Sequence, residues 1–355
     1  MNKQNLIIIG PFEWGKDATN GVSVKNRFFK ERFTIFFKKI ITIDSSFVEK
    51  KHPFKTILFF LKLFFYGIFY KTTKIVVSEN IVFAYRFVLK YLFFIRKNGS
   101  VYYWAPGGTL PKLIKDNHYN IKYYTSLRKI YVQGQKLVDE LNSMGIFNAV
   151  FVPNSKYIPR LPVKKHREDN IIKFVFVSRV HPSKGINEIA RCAKYLDDNG
   201  YKDRYKIDFY GKIEPGYDAE FEEAIRESPN MHYMGFIDLR NFDNYEKLVA
   251  YDVALFPTYW HGEGFPGVVI DAYIAGLPVI ATDWNLNSAY ILNGETGVII
   301  PVHDELALRD AMLSFLDGKQ DLRQMSQNCQ REVLQYDNRK VLSEDNLRVW
   351  GFLDA

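Results

Sequence analysis

The sequence predicts an α/β protein with two domains, each built around a parallel sheet. Short apolar runs typical of strands alternate with helical patterns through both halves of the 355 residues, which is the signature of βαβ units. The length allows two domains of about 150 residues each. Because 47% of the residues are hydrophobic and 25% are charged, the chain can form buried cores, and global disorder is excluded.

Twelve strands are expected, followed by a helical C-terminal stretch at 304–355. The predicted strands are 6–9, 41–43, 74–77, 101–104, 129–132 and 149–153 in the first half, then 172–177, 205–210, 231–234, 253–256, 278–282 and 298–301 in the second. Between the halves, a segment rich in proline and charge indicates a linker. We therefore expect this organisation: an N-terminal domain at 1–153, a linker at 154–170, a C-terminal domain at 171–335, and a last helix at 336–355 that packs back on the N-terminal domain.

Charge is divided unevenly along the chain. The net charge is +8, but residues 1–150 carry 24 Lys and Arg against 9 Asp and Glu, whereas residues 151–355 carry 24 against 31. A basic N-terminal half indicates an anionic partner, either a membrane surface or a nucleic acid. The two cysteines form no C-x-x-C or His/Cys cluster, and no secretory signal is apparent, so a reducing cytosol is expected.

Two predicted helices in the basic half, 54–70 and 81–96, are rich in aromatic residues. Neither is free of charge for the roughly 20 residues that a membrane span needs. Lys55 and Lys62 share one face of the first helix and Arg86 and Lys90 one face of the second, while the remaining faces are mostly Phe, Leu, Ile and Tyr. This pattern favours interfacial helices that dock on anionic lipid. The alternative is that both are ordinary helices covering the sheet.

Two cations follow the predicted strand 172–177. Arg179 leaves the end of the strand, and Lys184 stands just before Gly185 at a helix start. Ligands of open α/β sheets bind at the carboxyl ends of strands, where an Arg fork and a Lys point charge suit a diphosphate. An ordinary solvated loop is the alternative when this segment is taken alone.

Residues 263–271, EGFPGVVID, are the most informative segment of the chain. Glu263 is expected on a loop, and Asp271 in the first turns of a short helix that ends near Gly276. A turn at Phe265, Pro266 and Gly267 directs backbone amides and the positive end of the helix toward a ligand. Two carboxylates beside such a helix start suit a ligand with both phosphates and hydroxyls, which predicts a nucleotide sugar.

These motifs together carry a family resemblance. The segments SRVHPSKGINEI, FYGKIEPG, MHYMGFI, YDVALFPTYWHGEGFPGVVIDAYIAGLPVIATDW and ETGVIIP follow the order and spacing of family 4 glycosyltransferases. VYYWAPGGTLPKLIK and IYVQGQKLVDELNSMGIFNAVFVPN resemble members that build bacterial capsular polysaccharides or exopolysaccharides. The resemblance covers nearly the whole chain and is weakest over 44–100. It implies the GT-B fold, with two Rossmann-like domains facing each other across a cleft, and transfer with retention of anomeric configuration.

The resemblance also implies roles for individual residues. Arg179 and Lys184 would hold the donor diphosphate and neutralise the leaving group, and Glu263 would contact the transferred sugar. The implied donor-binding set also includes the Asn20-Gly21 loop over the phosphates, Phe236 and Ile237 beside the base, the turn at Phe265 and Pro266, the amides of Gly267 and Val268, and Asp271 at the ribose hydroxyls.

Two departures from the family pattern matter for specificity. The second carboxylate of the motif is Asp271 rather than the usual Glu, so the ribose contact is expected to be longer or bridged by water. The usual acidic residue after the strand at 278–282 is missing, although Asp283 lies near. No D-x-D motif is found near a strand end, so we expect a metal-independent enzyme with no cofactor, whose co-substrate is a UDP- or GDP-sugar.

Three further residues are candidates for the sugar or acceptor pocket. His261 lies two residues before Glu263, and a loop-packing role is its alternative. Trp104 and Gly107 follow a strand of the N-terminal half, where a simple strand-to-helix turn is equally consistent.

The leading hypothesis is a glycosyltransferase of hexosyltransferase type, peripheral on the inner face of the plasma membrane. It would move one sugar from a nucleotide donor to a saccharide linked to polyprenyl diphosphate. A nucleic-acid-binding protein is the runner-up from another class, but no RRM, KH or helix-turn-helix signature is present, so we expect no nucleic acid. Two further hypotheses keep the fold without the transfer reaction, namely an inactive GT-B partner subunit and a nucleotide-sugar epimerase.

Overall fold

The computed structural model describes residues 4–14, 21–49, 52–69, 74–95, 100–164 and 170–354. The chain divides into two compact units. The first unit comprises Met1–Pro153 and Arg339–Ala355, and the second comprises Asn154–Asn338. Each unit contains one parallel six-stranded sheet, so the predicted α/β class is confirmed. All twelve predicted strands are present, with ends within two residues of the expected ones.

The first unit alternates strands and helices from its start. Its strands are β1 (Asn5–Gly10), β2 (Lys39–Asp44), β3 (Lys74–Val77), β4 (Val101–Trp104), β5 (Lys129–Val132) and β6 (Ala149–Phe151). Its helices are α1 (Gly21–Phe33), α2 (Ser46–Glu49), α3 (Pro53–Phe69), α4 (Ile81–Phe83), α5 (Lys90–Ile95), α6 (Leu110–Asp116), α7 (Lys122–Thr125) and α8 (Gln135–Ser143). A π-helical stretch, Ala84–Leu89, joins α4 to α5. The sheet order is β2-β1-β3-β4-β5-β6.

The second unit repeats this alternation. Its strands are β7 (Ile172–Val177), β8 (Tyr205–Tyr210), β9 (Met231–Tyr233), β10 (Val253–Phe256), β11 (Val279–Thr282) and β12 (Gly297–Ile300). Its helices are α9 (Ile186–Asp198), α10 (Asp218–Arg226), α11 (Tyr245–Leu248), α12 (Gly267–Ile274), α13 (Asn287–Tyr290), α14 (Glu305–Leu316) and α15 (Leu322–Glu332). Short 3-10 turns lie at Pro182–Lys184, Phe242–Asn244 and Val333–Tyr336. The predicted helical character of the C-terminal stretch is thus present.

The last residues of the chain complete the first unit. Two short helices, α16 (Asn338–Val341) and α17 (Glu344–Val349), precede Phe352, whose side chain is fully buried. Its ring lies 5.0 Å from that of Phe33 and 5.8 Å from that of Trp104, measured between centroids. Lys74 Nζ donates to the carbonyl of Phe352 over 2.7 Å. The C-terminal segment is therefore part of the core of the first unit.

The strand order of the second sheet indicates where a ligand would bind. The order is β12-β11-β10-β7-β8-β9, so β7 lies between its successor β8 and the later strand β10. Phe174 of β7 pairs with Val253 of β10, and the two strands run parallel. Chain connections leave β7 and β10 in opposite directions, and such a switch point opens a crevice at the carboxyl ends of the strands. The loops that follow β7 and β10 carry Arg179, Lys184 and Glu263 of the predicted donor site.

The two aromatic segments of the first unit form helices, as expected. The first is α3, and the second is the continuous stretch from α4 through the π-helical turn to α5; residues 70 and 96 of the predicted ranges lie outside the described part of the chain. Among the helices described, none has the length and hydrophobicity needed to cross a membrane. Their interfacial role stays a prediction.

Candidate active site

The loop after β7 presents Lys184 at the end of a tight turn. The 3-10 turn Pro182–Lys184 ends at Gly185, which has φ +77° and also begins α9. A Cβ at Gly185 would lie 2.5 Å from the carbonyl oxygen of Pro257, in the loop after β10. Only glycine combines this backbone conformation with such close approach. Gly185 therefore lets the two loops touch, which brings Lys184 beside the segment that contains Glu263.

Lys184 and Glu263 form a buried ion pair. Lys184 is 8% exposed, and its ammonium donates to Glu263 Oε1. Thr258 Oγ1 approaches the same carboxylate oxygen at 3.4 Å. Burial lowers the pKa of Lys184, while the charge of Glu263 opposes that shift. A buried charge pair adds little net stability, so its position at the switch point favours a functional role.

Arg179 joins this pair through an aromatic ring. Its guanidinium lies 5.4 Å from the ring centroid of Trp260, and Lys184 Nζ lies 5.9 Å from the same centroid. Arg179 is half-exposed, and its Nη1 is 3.3 Å from Glu214 Oε2. The structure thus brings Arg179, Lys184 and Glu263 together around Trp260. The sequence reasoning missed Trp260; its one signal in the sequence was an aromatic residue three positions before Glu263.

Two histidines flank the same tryptophan. The ring of His181 meets that of Trp260 edge-on at 5.0 Å, and its Nδ1 lies 2.8 Å from Ser183 Oγ. Burial lowers the pKa of His181, Glu214 opposes that shift, and Arg179 and Lys184 add to it. His181 was not singled out from the sequence. His261 is exposed, with its ring 4.6 Å from that of Trp260, so it lies beside the predicted site; its role in the sugar pocket stays a prediction.

The helix predicted at the EGFPGVVID segment is α12. Pro266 immediately precedes it, so the first amides, those of Gly267 and Val268, lie at its N-terminus as expected. The first amides of a helix have no acceptor within the helix, and together with its dipole they attract anions. Glu263 precedes this helix by one short turn. The segment therefore offers both a carboxylate and an anion-binding helix start.

Asp271 lies in the second turn of α12, and two other residues contact it. It is 6% exposed, and its Oδ1 accepts hydrogen bonds from Lys156 Nζ and from the hydroxyl of Tyr245. Burial, and after it the charge of Asp271, raise the pKa of Tyr245 well above its usual value, so this hydroxyl stays protonated. Sequence reasoning missed Lys156 and Tyr245, because no local spacing connects them to Asp271. The ribose contact of Asp271 stays a prediction.

The turn before α12 is anchored by packing. The Phe265 ring is buried and stacks on Tyr290, with centroids 3.6 Å apart, and it meets Tyr336 edge-on at 4.8 Å. Asn154 Nδ2 donates to the carbonyl of Phe265 over 3.0 Å. Because its ring is enclosed by protein, the side chain of Phe265 holds the turn in place. The role of this turn in donor binding stays a prediction.

Phe236 and Ile237 follow β9 at the same edge of the sheet. Ile237 is buried, whereas Phe236 is more than half exposed and carries Lys212 Nζ 5.0 Å from its ring centroid. An exposed aromatic face beside a cation is suited to stacking against a planar ligand. The exposed ring of Phe236 is therefore accessible for the predicted contact with the base.

The first unit contains the remaining predicted site residues, at Asn20, Gly21, Trp104 and Gly107. The side chain of Trp104 is buried, with its ring 4.5 Å from Phe29 and 4.4 Å from Tyr131, which argues against the expected pocket role. Gly107 has φ +73° in the turn between β4 and α6, in agreement with the simpler alternative. Gly21 is exposed at the start of α1, and Asn20 lies outside the described residues.

No group of three or more His, Cys, Asp or Glu side chains within the described ranges is placed to hold a metal ion.

Part of the second unit matches a known protein family model. Residues 159–332 match the family model described as glycosyl transferases group 1. The sequence is 27% identical over 168 residues to UDP-Gal:alpha-D-GlcNAc-diphosphoundecaprenol alpha-1,3-galactosyltransferase of Escherichia coli, covering 46% of this chain and 41% of that protein. It is 26% identical over 177 residues to the capsular polysaccharide biosynthesis glycosyltransferase CapM of Staphylococcus aureus, covering 49% and 44%. The chain thus spans less than half the length of these curated relatives.

Solved structures extend the likeness to nearly the whole chain. Sucrose-phosphate synthase from Thermosynechococcus elongatus superposes with a TM-score of 0.74 at 15% identity, covering 99% of both chains. The lipopolysaccharide outer core galactosyltransferase WaaB superposes with a TM-score of 0.70 at 12% identity, covering 99% of this chain and 100% of that one. Likeness at this level of identity shows the fold, and it confirms the expected GT-B fold with two Rossmann-like domains.

Proposed function

We propose that this protein is a glycosyltransferase that moves one sugar from a nucleotide sugar to a saccharide acceptor in the synthesis of a bacterial surface polysaccharide. The observation that carries the proposal is the buried Lys184–Glu263 pair, which lies with Arg179 around Trp260 at the switch point of the second sheet. It is supported by the family match over residues 159–332 and by a similar solved structure, that of HepE from Anabaena in complex with UDP.

The proposed reaction is a group transfer at the anomeric carbon. The bond between that carbon and the diphosphate oxygen breaks, and its electron pair leaves with the nucleoside diphosphate. The acceptor oxygen forms the new bond as its hydroxyl proton passes to the oxygen of the departing diphosphate. Lys184, Arg179 and the N-terminus of α12 stabilise the charge that develops on the departing diphosphate, which is usually the largest catalytic contribution. Glu263 binds hydroxyls of the transferred sugar.

The finer features of the proposal rest on the sequence resemblance. We propose a family 4 enzyme of hexosyltransferase type that retains anomeric configuration and takes a UDP- or GDP-sugar. Its protein cations perform the charge neutralisation that a metal ion performs in other transferases. No separate cofactor is proposed.

The acceptor is proposed to be a saccharide linked to polyprenyl diphosphate, met at the inner face of the plasma membrane. The Escherichia coli relative is named for an acceptor of this chemistry. The basic excess of residues 1–150 is consistent with an anionic membrane surface as a partner.

Donor binding and turnover test the site directly. Purified protein is screened by thermal shift with UDP-glucose, UDP-galactose, UDP-N-acetylglucosamine and GDP-mannose. A ligand that binds only the folded state raises the melting temperature of the protein. The stabilising donor is then used to measure nucleoside diphosphate release. We expect Lys184→Met to lower kcat by about 100- to 1,000-fold, since it removes a charge that stabilises the leaving group.

Stability must be separated from chemistry in this test. Removing one partner of a buried pair leaves the other charge unpaired, so Glu263→Gln and the double variant Lys184→Met/Glu263→Gln are measured as well. Lys194→Met is the matched control, because Lys194 lies on α9 with an exposed ion pair to Glu227 at 3.0 Å. The proposal is wrong if none of the four donors stabilises the protein, or if the folded double variant releases nucleoside diphosphate at the wild-type rate.

A further inference from the structure

The outward face of α3 carries mostly apolar residues. The helix contacts the rest of the first unit through a narrow stripe of Phe59, Leu63 and Gly67, spaced four residues apart. The opposite side carries large hydrophobic residues that are mostly exposed: Phe54 at 78%, Ile57 at 59%, Leu58 at 43%, Leu61 at 59% and Phe69 at 66%. Surface helices normally place polar residues there. We call this side the outer face of α3.

Contacts with neighbouring helical segments orient the outer face of α3. A Cβ at Gly67 would lie 2.4 Å from Cδ1 of Ile95, so α3 and α5 approach each other closely at that point. Phe59 meets Phe83 edge-on at 5.9 Å, and Phe60 meets the partly exposed Phe87 at 6.1 Å. At 17 residues, α3 is about 25 Å long, so its outer face is a long apolar ridge rather than a scatter of single side chains.

The charged residues of α3 itself are all basic. Lys55 and Lys62 are exposed and border the outer face along one side, and Arg86 is exposed on the neighbouring helical stretch. Between residues 50 and 115 the sequence contains a single acidic residue, Glu79, and its side chain is buried. A symmetric contact between two copies would bring these cations together without carboxylates to offset them. An anionic surface complements both the charge and the apolar ridge.

We propose that the outer face of α3 inserts into an anionic lipid monolayer. The helix lies in the plane of the interface, with its apolar side chains about 5–10 Å deep among headgroups and acyl chains. Lys55 and Lys62 contact anionic headgroups at the border. This proposal deepens the proposed function, because it supplies the surface at which a lipid-linked acceptor is met, but the geometry that supports it lies entirely within the first unit.

Vesicle flotation tests the proposal. The full chain is mixed with vesicles of phosphatidylcholine alone or of phosphatidylcholine with phosphatidylglycerol. We expect the wild-type protein to bind the anionic vesicles. In the double variant Ile57→Gln/Leu61→Gln, each of the two substitutions should lower the affinity for these vesicles about tenfold or more. Lys55→Gln/Lys62→Gln should weaken binding by about fivefold for each lysine and reduce its dependence on salt. The matched control is Leu306→Gln/Leu334→Gln, which changes two exposed leucines of the second unit.

The outcomes show whether the outer face of α3 binds a lipid surface or a second copy of the chain. The proposal is wrong if the wild-type protein does not bind anionic vesicles, or if the Ile57→Gln/Leu61→Gln variant floats with them as well as the wild type does. Concentration-dependent dimerisation that this double variant abolishes, with no vesicle binding, would assign the outer face to a second copy instead. Donor-induced thermal stabilisation is measured on the same samples. If vesicle binding fails while stabilisation by the donor persists, only the docking proposal falls; if the reverse is found, only the proposed transfer activity falls.

Discussion

Two carboxylates of the second unit are largely buried, and each forms an ion pair with a lysine from a distant part of the sequence. Glu263 is paired with Lys184, and Asp271 is paired with Lys156, which is 115 residues away in sequence. Transferring an unpaired charge from water into the interior costs several kcal/mol, so both carboxylates depend on these lysines. The paired lysines also fix the carboxylates in one geometry before any ligand arrives, which lowers the entropy lost on binding.

The contact between Lys156 and Asp271 gives a prediction about donor binding. Lys156→Met removes the cation and leaves Asp271 with Tyr245 alone, so the carboxylate is less well positioned for a ribose. We expect KM for the donor to rise about tenfold, equivalent to about 1.4 kcal/mol, with a smaller effect on kcat, because Lys156 contacts the carboxylate that is proposed to bind the ribose. Steady-state kinetics of nucleoside diphosphate release measure both quantities.

Two further variants make that result specific. Lys156→Arg keeps the charge and should restore most of the affinity for the donor. Arg160→Met is the matched control, because the exposed Arg160 contacts Asp243 at 3.5 Å and the ring of Phe242 at 5.8 Å rather than Asp271. A loss of thermal stability in Lys156→Met with unchanged KM would contradict the positioning role and leave Lys156 with a purely structural one.

The residues that sequence reasoning found and those it missed differ in a physical respect. Arg179 and Lys184 follow the end of a predicted strand, and Glu263 and Asp271 belong to one local motif, so chemistry and spacing identify them. Lys156, Tyr245 and Trp260 act through contacts that only the folded sheet creates. Trp104 was assigned to a ligand pocket because an aromatic residue at a strand end has the same local pattern whether it faces a ligand or the core.

At the scale of elements, the site depends on the contact between the loops after β7 and β10. Gly185→Ala places a methyl group 2.5 Å from the carbonyl oxygen of Pro257, at a residue with φ +77°. We expect it to lower the free energy of unfolding by about 2–4 kcal/mol, since it adds a steric clash to backbone strain, and to lower kcat because the turn that ends in Lys184 must shift. Chemical denaturation and donor turnover measure the two effects.

Gly200 provides the control for that substitution. It has φ +88°, but a Cβ there would meet no atom within 4 Å. Gly200→Ala should therefore cost only the backbone strain of about 1 kcal/mol and leave turnover unchanged. Equal destabilisation by the two substitutions would show that the loops after β7 and β10 can separate freely, contrary to the close approach at Gly185.

The elements were largely predictable because parallel sheets impose a simple pattern. Strands buried on both faces, such as β3 and β4, appear as continuous apolar runs, and all twelve were located from such runs. The outer face of α3 was harder to predict. Helical periodicity identifies the aromatic helix, but which of its sides meets the protein is decided by the elements that pack against it, namely α2, β2 and α5.

At the scale of the whole molecule, each unit has its own core, and the chain returns to the first unit at its end. The core of the first unit includes Phe12, Phe33, Trp104, Tyr131 and Phe352, whereas that of the second is built from residues between Phe174 and Met325. Sequence patterning predicts a helical C-terminus but cannot show which buried position Phe352 fills. That position depends on shape complementarity with side chains contributed from several distant strands and helices.

Phe352→Ala should therefore destabilise the first unit selectively. Deleting a buried phenylalanine side chain costs about 3–5 kcal/mol, because the apolar contacts are lost and a cavity remains. Hydrogen exchange resolved by peptide should show faster exchange in β1 and β4, with β7 and β10 protected as in the wild type, and the donor should still stabilise the second unit. Val349→Ala is the control, since Val349 lies in the same segment but is exposed. Equally accelerated exchange in both sheets would contradict this assignment, because it would mean that the C-terminal segment supports the two cores jointly.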